Sequence, residues 1–170
     1  VASCTIENPS VAKLIQSIVF PAGLSMVALF GAELFTGDCL ITISVLERKT
    51  NLLKFIRTLI IVYIGNLVGS LIVAAFSVYG HTMSAFDGAL AQNIVSIASN
   101  KCEISFGDAI LRGILCNVLV CLAVWMTMTI KSVAGKIAAL FFPIMVFVIS
   151  GFEHSVANMF YIPAAIMTSK

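Results

Sequence analysis

The sequence predicts an all-α membrane protein, an inverted repeat of three-helix units in which two helices are broken. Three observations predict it. The first is composition: 60% of residues are hydrophobic and 11% charged, with a mean hydropathy of +1.08, against roughly 25% charged in a typical soluble domain. The second is an acid and an imidazole deep inside an apolar run, at Gly151-Phe152-Glu153-His154-Ser155-Val156-Ala157-Asn158, with apolar residues 137–149 before it and 159–167 after it. Charge at such depth is costly in lipid, so the stretch must face protein or water. The third is recurrence. The same grammar stands 120 residues earlier, at Gly31-Ala32-Glu33-Leu34-Phe35-Thr36-Gly37-Asp38, and each copy has a Phe-Pro pair upstream, Phe20-Pro21 and Phe142-Pro143.

The elements follow in order. Asn8-Pro9-Ser10 reads as a helix start, with Pro in the first turn and Ser as the cap. Residues 11–30 are apolar apart from Lys13, Gln16 and two serines, about 20 residues and so one span. A break at 31–38 and a short piece at 39–46 complete a broken crossing over 11–46. After the polar turn Glu47-Arg48-Lys49-Thr50-Asn51, a whole helix spans 55–79 and carries Gly65-Asn66-Leu67-Val68-Gly69, small residues spaced for close helix contact. The 80–108 loop is polar, with a short surface helix over 89–98. A second whole helix spans 109–130, a basic turn covers 131–136, and a second broken crossing covers 137–168.

Lysine and arginine in the loops set the orientation. Arg48, Lys49, Lys54 and Arg57 mark one loop as cytoplasmic and Lys131 and Lys136 another, while the 80–108 loop holds only Lys101. Four crossings then leave both chain ends outside. The order broken, whole, whole, broken becomes two units of whole, broken, whole when one helix is added at each end. Three helices per unit invert the second unit. The opening Val1-Ala2-Ser3-Cys4 accordingly reads as the tail of an earlier segment, and residues 1–170 as a single transmembrane channel domain lacking a first and a last helix.

Other classes fit less well. The formal charge of +2 comes from scattered residues, with no basic stripe to hold nucleic acid. The five cysteines show no metal spacing and read as buried thiols; no metal or cofactor is expected. A membrane enzyme built on Glu153 and His154 lacks the second histidine of H-E-x-x-H. An aquaporin-type channel for neutral solutes is the nearer rival, but such channels carry Asn-Pro-Ala at both half-helices, and neither Thr36-Gly37-Asp38 nor Val156-Ala157-Asn158 supplies it. Paired broken helices point to a transport site where the breaks meet.

Within that site His154 is the sharpest residue, because histidine titrates near neutral pH, with a reference value of about 6.5. Protonated, it attracts an anion or gives a proton to a weak base. Leu34 and Phe35, beside Thr36, are expected in a narrow apolar ring that blocks hydrated ions by dewetting. Glu33 and Glu153 would repel an anion if they faced it, so each is expected to accept bonds from backbone amides freed by its break. Helix N-termini near Asp38 and Ser155 offer free N–H groups to an anion.

These residues resemble the formate/nitrite transporter family, which includes hydrosulfide channels. Gly31-Ala32-Glu33-Leu34-Phe35-Thr36-Gly37 is similar to its first pore-loop signature and Gly65-Asn66-Leu67-Val68-Gly69 to its third-helix motif. The ten residues from Gly151 to Phe160 are similar to its second pore loop. The resemblance runs from the family's second helix to its fifth. It implies a multi-pass protein of a bacterial cell membrane, with aquaporin-like protomers assembled as homopentamers in the bilayer. Each protomer passes small monovalent anions (formate, nitrite, hydrosulfide), with a tilt here towards hydrosulfide. It implies His154 as the proton-donating and gating residue with Thr36 opposite it, and Phe20, Leu24 and Phe147 as apolar constrictions. It also implies Lys101 as an outer-side residue that favours anions, and Asn117 and Asn158, with Asn66, bonded to the interrupted backbone. Asp38 departs from the asparagine or small polar residue of many relatives.

Overall fold

A computed structural model describes residues 3–169, and its regular structure is helical, with no strand among the described residues. Among the described residues nine α-helices follow one another: α1 (Pro9–Val19), α2 (Pro21–Phe30), α3 (Phe35–Asp38), α4 (Thr42–Leu46), α5 (Leu52–Tyr79), α6 (Ala89–Cys102), α7 (Phe106–Thr129), α8 (Val133–Ile149) and α9 (Ser155–Thr168). Among the described residues three stretches are long and apolar enough to cross a membrane, Pro9–Phe30, Leu52–Tyr79 and Phe106–Thr129. The apolar pieces Phe35–Leu46, Val133–Ile149 and Ser155–Thr168 are shorter. The first half of the first crossing, Pro9–Phe30, is thus as long as a whole span, while both halves of the second crossing are short.

Caps explain why helices begin a few residues before their apolar runs. The Asn51 side chain accepts from the Leu53 amide at 3.0 Å, and Ser105 from the Asp108 amide at 3.2 Å. Ser132 does the same for the Gly135 amide. These side chains satisfy amides that have no partner inside the helix. The first helix corrects the reading of its start: Asn8, not Ser10, is the cap, accepting from the Ser10 and Val11 amides, with Pro9 inside the first turn. The first crossing is also divided at Phe20, because Pro21 has no amide hydrogen to continue the ladder. Pro143 and Pro163 lie inside α8 and α9 without ending them.

Packing sets α7 along α8, with α1 and α2 against the same helix, while α5 and α6 both lie on α9. One apolar core joins Leu24, Cys116, Val120, Ala123, Leu140, Ile144 and Phe147; a second joins Ala74, Met83, Leu90, Ile94 and Ala164. Gly65 and Gly69 do not mediate contact within the chain. A Cβ at either would meet nothing within 4 Å, because this face of α5 points away from the rest of the fold and is exposed. Ile60, Ile64 and Phe76 on α5, and Leu111, Val118 and Trp125 on α7, are also uncovered.

Candidate functional site: two helix breaks joined at a threonine and a histidine

The first break is four residues long (31–34) and the second five (150–154), both narrower than the eight-residue motifs around them. Gly31 ends α2 at φ 69° and Gly151 follows α8 at φ 71°. These are left-handed conformations that a side chain would strain. The Ala32 amide bonds back to the Val27 carbonyl at 3.0 Å, and the Phe152 amide to that of Phe147 at 3.1 Å, closing both helix ends in the same way. Extended residues follow, and helix resumes at Phe35 and at Ser155. The first resumed helix therefore starts three residues earlier than the expected position near Asp38.

The breaks meet at one hydrogen bond. His154 Nε2 lies 3.0 Å from Thr36 Oγ1; the two residues are only 8% and 5% exposed. His154 is also the N-cap of α9, its Nδ1 accepting from the Ala157 amide at 3.1 Å. An imidazole nitrogen that accepts from N–H carries no proton, so this pattern belongs to the neutral ring protonated on Nε2, which donates to the Thr36 hydroxyl. The hydroxyl then keeps its own hydrogen as a donor. The ring stacks on Phe147 at 5.9 Å between centroids, and Phe147 meets the edge of Phe20 at 5.3 Å.

Two cavities open near this contact, His154 lining one and Gly37, next to Thr36, the other. One, of about 400 Å³, is lined by Lys13, Phe20, Lys101, Phe147, His154 and Tyr161 among others. The second, of about 580 Å³, is lined by Leu24, Glu33, Leu34, Asp38, Glu47 and Trp125 among others. Between them Phe20, Leu24, Leu34 and Phe147 pack into the same apolar core. Phe35 is set apart: its ring lies against Tyr63 of α5 at 5.0 Å and lines neither cavity. The helical turn that begins at Phe35 directs its ring to α5 and leaves Leu34 facing the gap.

The acids and amides are placed differently from one another. Glu153 accepts side-chain bonds, from Lys101 Nζ at 2.6 Å and Asn158 Nδ2 at 2.9 Å, where backbone amides were expected. The Lys101–Glu153 pair is largely buried, at 18% and 13% side-chain exposure. Removing one partner of such a pair costs about 3–5 kcal/mol, because the other charge stays buried alone. Lys101 also lies 5.9 Å over the Tyr161 ring. In the first break the clamp is Asn66, which donates to the Glu33 carbonyl at 3.1 Å and accepts from the Phe35 amide at 3.0 Å. Asn117 makes no such bond: its Oδ1, like that of Asn158, is buried without a partner. Lys13 escaped the sequence reading as a site residue, although a lone cation in an apolar helix was its signal. No group of three or more metal-ligating side chains is present among the described residues.

The chain is similar to known proteins over nearly all of its length. The family model for formate/nitrite transporters matches residues 1–170. The uncharacterized transporter YrhG of Bacillus subtilis is 43% identical over 162 residues, covering 94% of this chain and 60% of that protein. The formate channel FocA of Haemophilus influenzae is 42% identical over 158 residues, covering 92% and 55%. Two solved structures superpose closely. A pentameric formate channel with formate bound has a TM-score of 0.84 at 37% identity, over 96% of this chain and 64% of its own. An ion channel of the same family has a TM-score of 0.86 at 32% identity, over 96% and 65%. The chain thus spans less than two thirds of these relatives, which are named as channels and transporters and not as enzymes.

Proposed function

The chain belongs to the formate/nitrite transporter family, and on that premise we propose that it forms a pore for small monovalent anions of weak acids: formate, nitrite or hydrosulfide. The observation that carries this reading is the His154–Thr36 bond, which joins the two breaks between two cavities. The path runs from the cavity of Lys13 and Lys101, past Phe20, Phe147 and Leu24, to Leu34 and the cavity of Glu33. Lys13, beside the balanced Lys101–Glu153 pair, raises the local concentration of anions at one mouth. The apolar constriction then penalises a hydrated charge, while a neutralised acid passes at much lower cost.

His154 and Thr36 supply the chemistry at the centre. The neutral ring orients the Thr36 hydroxyl, whose free hydrogen meets an anion oxygen or sulfur. Protonation of Nδ1 and the cap bond to Ala157 exclude each other, since both occupy the same lone pair. Charging the ring therefore releases it from α9 and leaves an imidazolium that holds an anion or returns the proton to it. Gating and protonation become one event. Glu153, Asn158 and Asn66 hold the breaks in shape, and Lys101 tunes the field beside them. The protomer is read as an inverted, aquaporin-like repeat within a single channel domain, and the assembly as a homopentamer in the cell membrane, each protomer with its own pore. The likeness to a pentameric formate channel supports that assembly.

The test is flux of formate, nitrite and HS⁻ into proteoliposomes containing the whole protein, from about pH 5 to about pH 8, around the reference imidazole value. His154→Asn keeps a side chain able to cap α9 but removes the titrating ring, so its pH profile should lose the imidazole-dependent step. His81→Asn, in the exposed 80–88 loop, should leave the profile unchanged; asparagine tolerates the left-handed backbone there. Superimposable profiles for wild type and His154→Asn would end the gating role. Absence of flux for all three anions would end the channel reading.

A further inference from the structure

The two breaks share a backbone but not a charge pattern. The Asp38 amide bonds to the Leu34 carbonyl at 2.9 Å, as the Asn158 amide bonds to the His154 carbonyl at 3.1 Å. Counting from Gly31 and Gly151, Glu33 therefore corresponds to Glu153, and Asp38 to Asn158. At the second break the Asn158 side-chain amide donates to Glu153, and Lys101 balances its charge. At the first break a carboxyl stands in the place of that amide. It interacts with the Glu33 carboxyl, and its Oδ2 is buried with no hydrogen-bond partner. The other acid lining this cavity, Glu47, is matched by Lys49 at 2.6 Å. Among the described residues no Lys, Arg or His lines it, whereas Lys13, Lys101 and His154 all line the opposite cavity.

We propose that Asp38 polarises the pore, making the mouth on the Arg48 side load anions less readily than the mouth on the Lys101 side. This inference rests on the anion-pore reading and deepens it with a residue that sets directional access. Low-dielectric cavity walls focus the field of an unbalanced charge on whatever enters. A passive pore cannot shift the equilibrium distribution of its solute, but each mouth sets its own half-saturation. Asp38→Asn installs the amide that the other break already uses, on a backbone of the same geometry. It removes the charge and supplies Glu33 with a donor.

The experiment records formate currents through the whole protein in planar bilayers at about pH 9, far enough above the ordinary carboxylate range that two adjoining carboxyls no longer share a proton. Formate is varied on one side at a time, and orientation is read from trypsin cleavage at Arg48 and Lys49. Wild type should half-saturate at a higher formate concentration from the Arg48 side. Asp38→Asn should lower that value about three- to tenfold, the range expected for one charge acting across a partly hydrated cavity, and leave the Lys101 side unchanged. Asp38→Ser, a second neutral variant, should do the same, and Asp38→Glu should keep the asymmetry. Equal half-saturation from both sides in wild type, or unchanged asymmetry in both neutral variants, would overturn the assignment. Absence of current for formate, nitrite and hydrosulfide would instead overturn the pore reading on which it stands.

Discussion

His154 combines in one ring what separate residues usually divide. It caps α9 through Nδ1, contacts Thr36 through Nε2 and stacks on Phe147. Thr36 is the simpler half of the pair and the better place to test it. Thr36→Val keeps the shape but removes the oxygen that accepts from Nε2–H, leaving a buried donor without a partner at a cost of about 1–3 kcal/mol. Thr36→Ser keeps the hydroxyl. Formate flux should fall at least tenfold in the valine variant and stay near wild type in the serine variant, with both proteins eluting at the wild-type position in size exclusion. Equal flux in all three would place the permeation path elsewhere.

Gly31 and Gly151 set the ends of α2 and α8, and through them the separation of the two breaks. Neither has an atom within 4 Å of an added Cβ, yet both have positive φ. Alanine at either position therefore meets no steric clash with its neighbours and pays only the left-handed backbone cost, about 1–2 kcal/mol. Gly69 lies in the middle of α5 with the same open space and an ordinary helical backbone. There alanine is expected to stabilise by up to about 1 kcal/mol. Thermal unfolding in detergent should show lower midpoints for Gly31→Ala and Gly151→Ala and an equal or higher one for Gly69→Ala. Opposite signs would mean that the breaks are not held by their glycines. The Asn66 clamp belongs to the same device, since it ties α5 to the backbone on both sides of Leu34.

The uncovered faces of α5 and α7 are too apolar to face water, and a bilayer or neighbouring chains must cover them. The Gly65–Gly69 stripe lies on one of these faces, open for close approach. In the homopentamer proposed above, such faces divide between subunit contacts and lipid. Cross-linking of the whole protein in native membranes should then produce a ladder that ends at five subunits. A ladder saturating at two would count against that assembly and against any pore arrangement that depends on it.

Much of the architecture was legible in the chain because its signals are local. A run of about 20 apolar residues is a span by length alone, and a Gly-x-Glu in the middle of one is a break wherever it packs. The family signatures at 31–37 and 151–160 are local in the same sense. The partners across the breaks were not legible, because they depend on how α3, α5, α6 and α9 pack. Sequence separation does not tell that Thr36 and His154 meet across 118 positions, or that Lys101 reaches Glu153 across 52. The resemblance implied the first of these pairings and placed Lys101 only on the outer side; spacing could show neither. Nor could spacing show that Phe35 turns to Tyr63 or that Asn66 spans the first break. Local hydropathy and glycine determined where this chain spans and breaks; which charges and hydroxyls face one another was decided by tertiary packing, because directional contacts exist only once the helices have taken their relative positions.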